Sequence, residues 1–272
     1  MKKMIMKKNE NRIQIEHTDT KEKKNIPSGR YAGLDALRGC ILISMILYHG
    51  TWDMVYIFGR QWSWFDSSVA YVWQQSICWG FILLSGFCWS FGKRPWKRGL
   101  ITFMAGALVT LVTKLFMPKS IILFGVLTFL GSSMLLMILL EKGLRRYNPM
   151  MGAIVAFVMF VITRNVNYGY LGFEQWNWVE MPKRLYANWF TTYLGFIQPG
   201  FFSADYFGIL PWVFLFVTGY FLQRIFCKWN LLELFSATRC KWLEWLGRHS
   251  LIIYMLHQPV VYGLLYVFTK EW

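Results

Sequence analysis

Charged residues are scarce in this sequence of 272 residues, and acidic residues are the scarcest. Asp, Glu, Lys and Arg make up 16% of it and hydrophobic residues 56%, whereas soluble domains have about 25% charged residues. This balance excludes a typical soluble domain. The 29 Lys and Arg outnumber the 14 Asp and Glu and give a net charge of +15. Because the basic residues separate long apolar runs, they indicate the loops of a membrane protein rather than a nucleic-acid-binding surface.

Cysteines are also few, and their number is odd. They lie far apart and mostly in or beside apolar segments, which argues against a disulfide framework and a cysteine-rich zinc site. The five are Cys40, Cys78, Cys88, Cys227 and Cys240. A Walker loop, a dinucleotide-binding glycine motif, an HExxH motif and a seryl nucleophile elbow are absent. The available groups are imidazole, carboxylate and guanidinium, which suit metal-free acyl transfer with a general base.

Apolar segments of the length that a bilayer requires, or nearly that length, occur seven times. They cover residues 37–58, 69–91, 100–117, 121–140, 150–163, 206–226 and 243–268. The sequence therefore predicts an all-α, polytopic membrane protein, a helical bundle of about seven transmembrane helices, with six to eight as the range.

Basic loops set the predicted orientation of this bundle. Residues 1–30 are Lys-rich and lack the apolar stretch of a signal peptide, so they are predicted to form a flexible cytoplasmic tail. Residues 31–272 are predicted to form a single transmembrane domain. Basic loops at 93–98, 142–146 and 224–241 share a side with the tail, and the positive-inside rule places that side in the cytoplasm. We expect a multi-pass protein of the plasma membrane.

The segment 164–205, on the opposite side, is too long for a plain connection and is rich in aromatic residues. We predict a folded element there. Trp176 and Trp178 have two interpretations: they belong to an aromatic belt at the headgroup level, or they form a platform that stacks on a sugar or lipid headgroup.

The first predicted span carries four ionisable side chains, and such groups are costly inside a membrane unless they have a function. Asp35 and Arg38 are three residues apart. His49 and Asp53 are four apart, and eleven residues separate Arg38 from His49, so all four share one helix face. Asp53 is placed to orient His49 as a general base. Alternatively, His49 bonds to a backbone carbonyl, and Asp53 caps the end of the helix or faces water.

The last predicted span contains a second histidine, His257, followed by Gln258 and Pro259. A second histidine at membrane depth favours a catalytic pair, in which His257 assists proton movement. Asp205, just before the sixth span, is placed either to orient an amine or hydroxyl of a substrate or to cap a helix.

Basic side chains also gather at the predicted cytoplasmic mouth. Arg248, Lys97 and Arg98 are placed near Arg38 and its partner Asp35, where they would bind the phosphates of an anionic cofactor. The same residues equally fit plain positive-inside topology. No metal-ligand spacing occurs, so no metal is expected.

Four stretches, taken in order, resemble the compact bacterial members of the heparan-alpha-glucosaminide N-acetyltransferase catalytic-domain family, over about residues 31–268. They are LDALRG (34–39) with YH (48–49), ILFGVLTFLG (122–131), FSADY (202–206), and GRHS (247–250) through HQP (257–259). The first and last are also similar to the acyltransferase-3 membrane family, a related architecture with more spans.

This resemblance implies an enzyme that moves an acetyl group from cytoplasmic acetyl-CoA to a sugar amine or hydroxyl across the membrane, with a cell-envelope glycan or glycolipid as acceptor. It places Arg38 and Arg248 near the CoA site and His49 in the reaction zone, as general base or transient acyl acceptor. It also makes a homodimer plausible. The competing hypotheses are a transporter or flippase that passes a solute or lipid headgroup along the same polar stripe, and a structural membrane protein.

Overall fold

The computed structural model describes residues 31–236 and 240–270, so the predicted tail, 1–30, lies outside the described residues. The described part is overwhelmingly helical, and its one sheet is a hairpin of β1 (Tyr170–Phe173) and β2 (Trp176–Glu180). The helices are α1 (Ala32–Tyr56), α2 (Ser68–Phe87), α3 (Pro95–Phe116), α4 (Val126–Leu144), α5 (Pro149–Thr163), α6 (Trp189–Leu194), α7 (Ile209–Lys228), α8 (Lys241–Arg248) and α9 (Ser250–Lys270).

Six of these helices are long and apolar enough to cross a membrane, namely α1, α3, α4, α5 with the turn that follows it, α7 and α9. The predicted all-α polytopic membrane fold is thus confirmed. The 20-residue α2 also lacks Asp, Glu, Lys and Arg, and it lies antiparallel to α1. Trp73 Nε1 donates a hydrogen bond to Ser44 Oγ (2.8 Å), and nearer the other end Phe87 packs with Leu34. Because α2 follows α1 along most of its length, it supports the predicted seventh crossing.

The two ends of the bundle differ in character. One end carries the basic residues of the α2–α3 and α4–α5 connections together with Arg38 and Arg248, and we refer to it as the basic side. The other end carries the β-hairpin and is called the hairpin side. On the hairpin side, residues 121–125 pair with 203–207: Ala204 N–H donates to Ile121 O and Phe207 N–H to Phe124 O, each over 2.9 Å. For this reason α4 begins at Val126, later than the predicted start of its span.

The main core lies where α4, α5 and α7 pack together with α2. Phe129, Phe160 and Phe216 are fully buried there. Gly86 of α2 crosses α7 so closely that a Cβ at this position would lie 2.0 Å from the carbonyl oxygen of Phe216. In contrast, α3, α5 and α9 leave large apolar side chains such as Leu115 exposed. Exposed apolar faces around a packed centre are typical of helices surrounded by lipid.

The last predicted span, 243–268, proved to be two helices. The chain reverses at His249, between α8 and α9. The charges of α8 explain the break, since Lys241, Glu244 and Arg248 do not suit the bilayer interior. This short helix instead lies antiparallel to the first turns of α1. A Cβ on Gly247 would lie 1.8 Å from the carbonyl oxygen of Asp35, so only glycine permits this close contact.

Candidate active site

Two histidines from opposite ends of the sequence meet between α1 and α9. The ring centroids of His49 and His257 are 4.8 Å apart. The two helices run parallel here, and farther toward the hairpin side Phe58 stacks on Tyr262. The pairing of the two histidines, which the sequence places 208 positions apart, is thus an outcome of the packing of α9 on α1.

Asp53 lies one turn beyond His49 and is completely buried. Its Oδ1 atom accepts a hydrogen bond from Gln258 Nε2 over 2.8 Å. The sequence predicted that Asp53 orients His49. Among the described residues the Asp53 carboxylate makes no hydrogen bond to His49 and bonds to Gln258 instead. The sequence interpretation overlooked Gln258, although a glutamine beside His257 in an apolar span was a signal.

The tautomer of His257 follows from its backbone contact. Its Nδ1 atom lies 2.5 Å from the carbonyl oxygen of Tyr254. A carbonyl can only accept, so in the neutral ring Nδ1 carries the hydrogen and Nε2 is an acceptor. Three buried acceptor atoms of the described chain have no hydrogen-bond partner around this pair: Asp53 Oδ2, His257 Nε2 and Gln258 Oε1.

A second polar cluster lies at the basic side, around the buried Asp35. Arg38 Nη1 lies 3.2 Å from Asp35 Oδ1, as the spacing predicted. Arg248 Nε approaches Asp35 Oδ2 at 3.6 Å, and its Nη2 lies 2.9 Å from Glu244. The arginine side chains stay accessible, with 21% of Arg38 and 46% of Arg248 exposed. We call Asp35, Arg38, Arg98, Glu244 and Arg248 the arginine cluster.

Arg98 and Lys97 behave differently although they are adjacent in sequence. Arg98 is half-buried and lies within electrostatic range of Arg38. Lys97 is exposed, and its ammonium lies 5.4 Å from the ring centroid of Trp96. The fold therefore joins Arg98 to the arginine cluster and leaves Lys97 on the surface of the loop.

On the hairpin side, the predicted folded element is a hairpin fixed by a buried arginine. Arg164 Nε lies 3.2 Å from Glu174 Oε1, and its Nη2 donates to Gln75 Oε1 over 3.1 Å. The guanidinium also lies 4.9 Å from the ring centroid of Trp212. Tyr71 donates a hydrogen bond to Glu174 from α2. Sequence reasoning missed this network, because its members lie in three separate segments.

The hairpin presents Trp176 and Trp178 outward, with 71% and 52% of their surfaces exposed. Side chains two residues apart on a strand point to the same face. Both indoles are therefore available on one side of β2, for a headgroup belt or for stacking.

Asp205 caps a helix, but not the one that follows it. Its Oδ2 accepts a hydrogen bond from the backbone N–H of Val126, over 3.3 Å, at the start of α4. Burial raises the pKa of Asp205 to about 6, although the hydrogen bond from Val126 opposes the rise. Helix capping, one of the two roles expected for Asp205, is thus present. The bond uses Oδ2 and does not involve Oδ1.

Comparison with protein families identified a match to a catalytic-domain model. The model of the family "Heparan-alpha-glucosaminide N-acetyltransferase, catalytic" matches residues 30–259, which is most of the chain and includes every residue of the two polar clusters. Comparisons with curated proteins and with solved structures gave no match. Within residues 31–236 and 240–270, no group of three or more His, Cys, Asp and Glu side chains is arranged to hold a metal ion.

Proposed function

The chain belongs to the heparan-alpha-glucosaminide N-acetyltransferase catalytic family, which indicates a membrane acetyltransferase acting on a sugar. We propose that it transfers an acetyl group from acetyl-CoA on the basic side to a sugar amine or hydroxyl near the hairpin side. The basic side faces the cytoplasm by the positive-inside rule. The acceptor is a cell-envelope glycan or glycolipid, and the membrane is the plasma membrane.

The observation that carries the proposal is the histidine pair, 4.8 Å between ring centroids, inside a bundle of membrane-spanning helices. His49 acts as the general base. The nucleophilic nitrogen or oxygen of the acceptor attacks the acetyl carbonyl carbon and gives its proton to His49, and the carbon–sulfur bond breaks. The departing thiolate then takes that proton, so CoA leaves as the thiol and His49 is restored. A variant of this route forms a transient acetyl-histidine on His49.

The arginine cluster suits the other end of the donor. It contains three guanidinium groups and two carboxylates, which leaves one positive charge in excess. Guanidinium groups bind phosphates through paired, charge-assisted hydrogen bonds. Arg38, Arg98 and Arg248 are assigned to the CoA phosphates, with Asp35 holding two of them in place and Lys97 contributing from the loop.

The distance between the two clusters fits the shape of this donor. Eleven residues of α1 separate Arg38 from His49, which corresponds to roughly 16 Å along the helix. In acetyl-CoA an extended pantetheine arm separates the phosphates from the thioester. The phosphates can therefore bind the arginine cluster while the acetyl group reaches His49.

The hairpin side supplies the acceptor contacts in this proposal. Exposed indoles stack on the apolar faces of sugar rings, and Trp176 and Trp178 offer two of them on one face. Asp205 borders the same side, with a carboxylate that can accept hydrogen bonds from sugar hydroxyl or amine groups.

The test is acetyl transfer in proteoliposomes of uniform orientation. Acetyl-labelled acetyl-CoA is supplied to one face and glucosamine to the other, and the product is identified by mass spectrometry. Acetylated glucosamine should form only when acetyl-CoA is on the basic side. Transport of unmodified glucosamine without acetylation would favour the transporter hypothesis. Calorimetric titration with acetyl-CoA, run beside a titration with free CoA, tests donor binding directly. A folded protein that does not bind acetyl-CoA would also contradict the proposal.

A further inference from the structure

One hydrogen bond crosses from α9 to α1 beside the histidine pair. Gln258 Nε2 donates to Asp53 Oδ1 over 2.8 Å. Gln258 directly follows His257, and Asp53 is one turn from His49 on the same face of α1. The bond therefore joins the two helical turns that carry the histidines.

This bond also decides which atoms are left for a bound molecule. The amide of Gln258 uses a hydrogen and keeps its oxygen, Asp53 keeps its Oδ2, and His257 keeps its Nε2. All three are buried hydrogen-bond acceptors that lack a partner within the described residues. A buried acceptor without a donor carries an uncompensated desolvation cost. The arrangement is therefore complementary to a group that brings N–H or O–H donors.

We propose that Gln258 is a positioning residue for the acetyl transfer, and that it holds Asp53 so that Asp53 Oδ2, Gln258 Oε1 and His257 Nε2 together bind N–H and O–H groups of the acceptor sugar around its nucleophilic atom. This inference rests on the proposed function. With those groups held by the three acceptors, the nucleophile lies against the rings of His257 and His49, and its own transferable proton points to His49, which removes it during attack.

An amide is well suited to this task. It fixes one oxygen of the carboxylate with a neutral donor and does not cancel its charge, as a lysine or arginine would. It also contributes an acceptor of its own to the same surface. Asp53 and Gln258 thereby raise the number of acceptors available to the nucleophile without bringing a competing cation into the membrane interior.

Kinetics of Gln258→Ala test the proposal, with acetyl-CoA and glucosamine as substrates. We expect kcat to fall by about 100-fold, as for a misplaced reacting group, and KM for glucosamine to rise while KM for acetyl-CoA is unchanged. The matched control is Ser44→Ala, which removes the 2.8 Å hydrogen bond that Ser44 Oγ accepts from Trp73 of α2 and leaves the bond between Gln258 and Asp53 in place. It should leave kcat and both KM values unchanged.

A purely helix-joining role gives a different result. Both variants would then lose thermal stability to a similar extent and retain their kinetic constants. Wild-type kcat and glucosamine KM in a folded Gln258→Ala protein would overturn the inference, as would an equal change in the KM of both substrates. An inactive wild-type protein would instead contradict the proposed function itself, so the two failures are distinguishable.

An exchange variant covers the case in which Gln258→Ala does not fold. In Asp53→Asn/Gln258→Glu the amide and the acid change places, so the hydrogen bond and the net charge are both retained. We expect Asp53→Asn alone and Gln258→Glu alone to lose more activity than the double variant. Equal or greater loss in the double variant, with a monodisperse protein by size exclusion, would contradict a positioning role.

Discussion

The two polar clusters of α1 differ in how their polar groups are paired and in how far they are exposed to water. In the arginine cluster, Asp35 is paired with two arginines that remain partly exposed to water. Around the histidine pair, Asp53 is completely buried and has one amide partner, and neighbouring acceptors have none within the described chain. Satisfied, hydrated charges suit the recognition of a charged ligand. Unsatisfied buried acceptors suit a reacting group that supplies the missing hydrogens. Under the proposed function, binding and chemistry are therefore separated along one helix.

Among substitutions in the two clusters, the largest effect is expected on kcat when the histidine pair is changed. His49→Ala should lower kcat by about 10²–10⁴-fold, because a general base contributes that much, while the Kd for acetyl-CoA stays unchanged. Single-turnover kinetics and calorimetry measure the two quantities. His249→Ala is the matched control, since His249 is exposed and packs against Trp245. Full activity of His49→Ala would remove His49 from the mechanism.

The reverse pattern is expected at the arginine cluster. Arg38→Ala should raise the Kd for acetyl-CoA roughly 10- to 150-fold, since one charge-assisted hydrogen bond to a phosphate contributes about 1.5–3 kcal/mol. At saturating acetyl-CoA its kcat should stay near the wild-type value. Arg60→Ala serves as the control and should leave the Kd unchanged, because Arg60 is exposed beyond the opposite end of α1. An unchanged Kd in Arg38→Ala would place the donor phosphates elsewhere.

A smaller effect is expected from the buried carboxylate that joins α1 to α8. Asp35→Asn should lower stability by about 1–2 kcal/mol, because two arginines lose an ionic partner and their exposure limits the loss. Thermal unfolding in detergent measures the change, and Glu244→Gln, at the more peripheral contact of Arg248, should cost less. Equal stability of Asp35→Asn and wild type would show that α8 is held by packing alone.

A pH-dependent effect is expected at Asp205, outside the two clusters. Its pKa is raised to about 6 from 3.8, so the folded state favours the protonated form. The resulting stabilisation is complete below about pH 4 and is lost as the pH rises through 6. Asp205→Asn keeps an acceptor for the N–H of Val126, and it should raise the Tm relative to wild type more at pH 7.5 than at pH 4.5. A pH-independent Tm difference would contradict this assignment.

Much of the fold was predictable, and the reasons are local. Apolar length, the scarcity of charge and basic loops predicted a polytopic helical bundle, because each helix in a membrane must satisfy its own backbone hydrogen bonds. The spacing of Asp35 and Arg38 likewise predicted their ion pair, which depends only on helix geometry. The long aromatic segment predicted a folded element but not a hairpin, since the anchoring of that hairpin by Arg164 depends on contacts with α2 and α7.

The sequence by itself therefore determined that the chain is a membrane-spanning helical bundle, and it determined the spacing of the polar side chains along α1. It did not determine the break at His249, the contact of Gly247 with Asp35, or the bond between Gln258 and Asp53. Those features depend on which helix packs against α1, and hydropathy carries no information about that choice. The tertiary structure packs α8 against the first turns of α1 and α9 against its later turns. Only this packing assembled one cluster that fits phosphate binding and another that fits acetyl transfer.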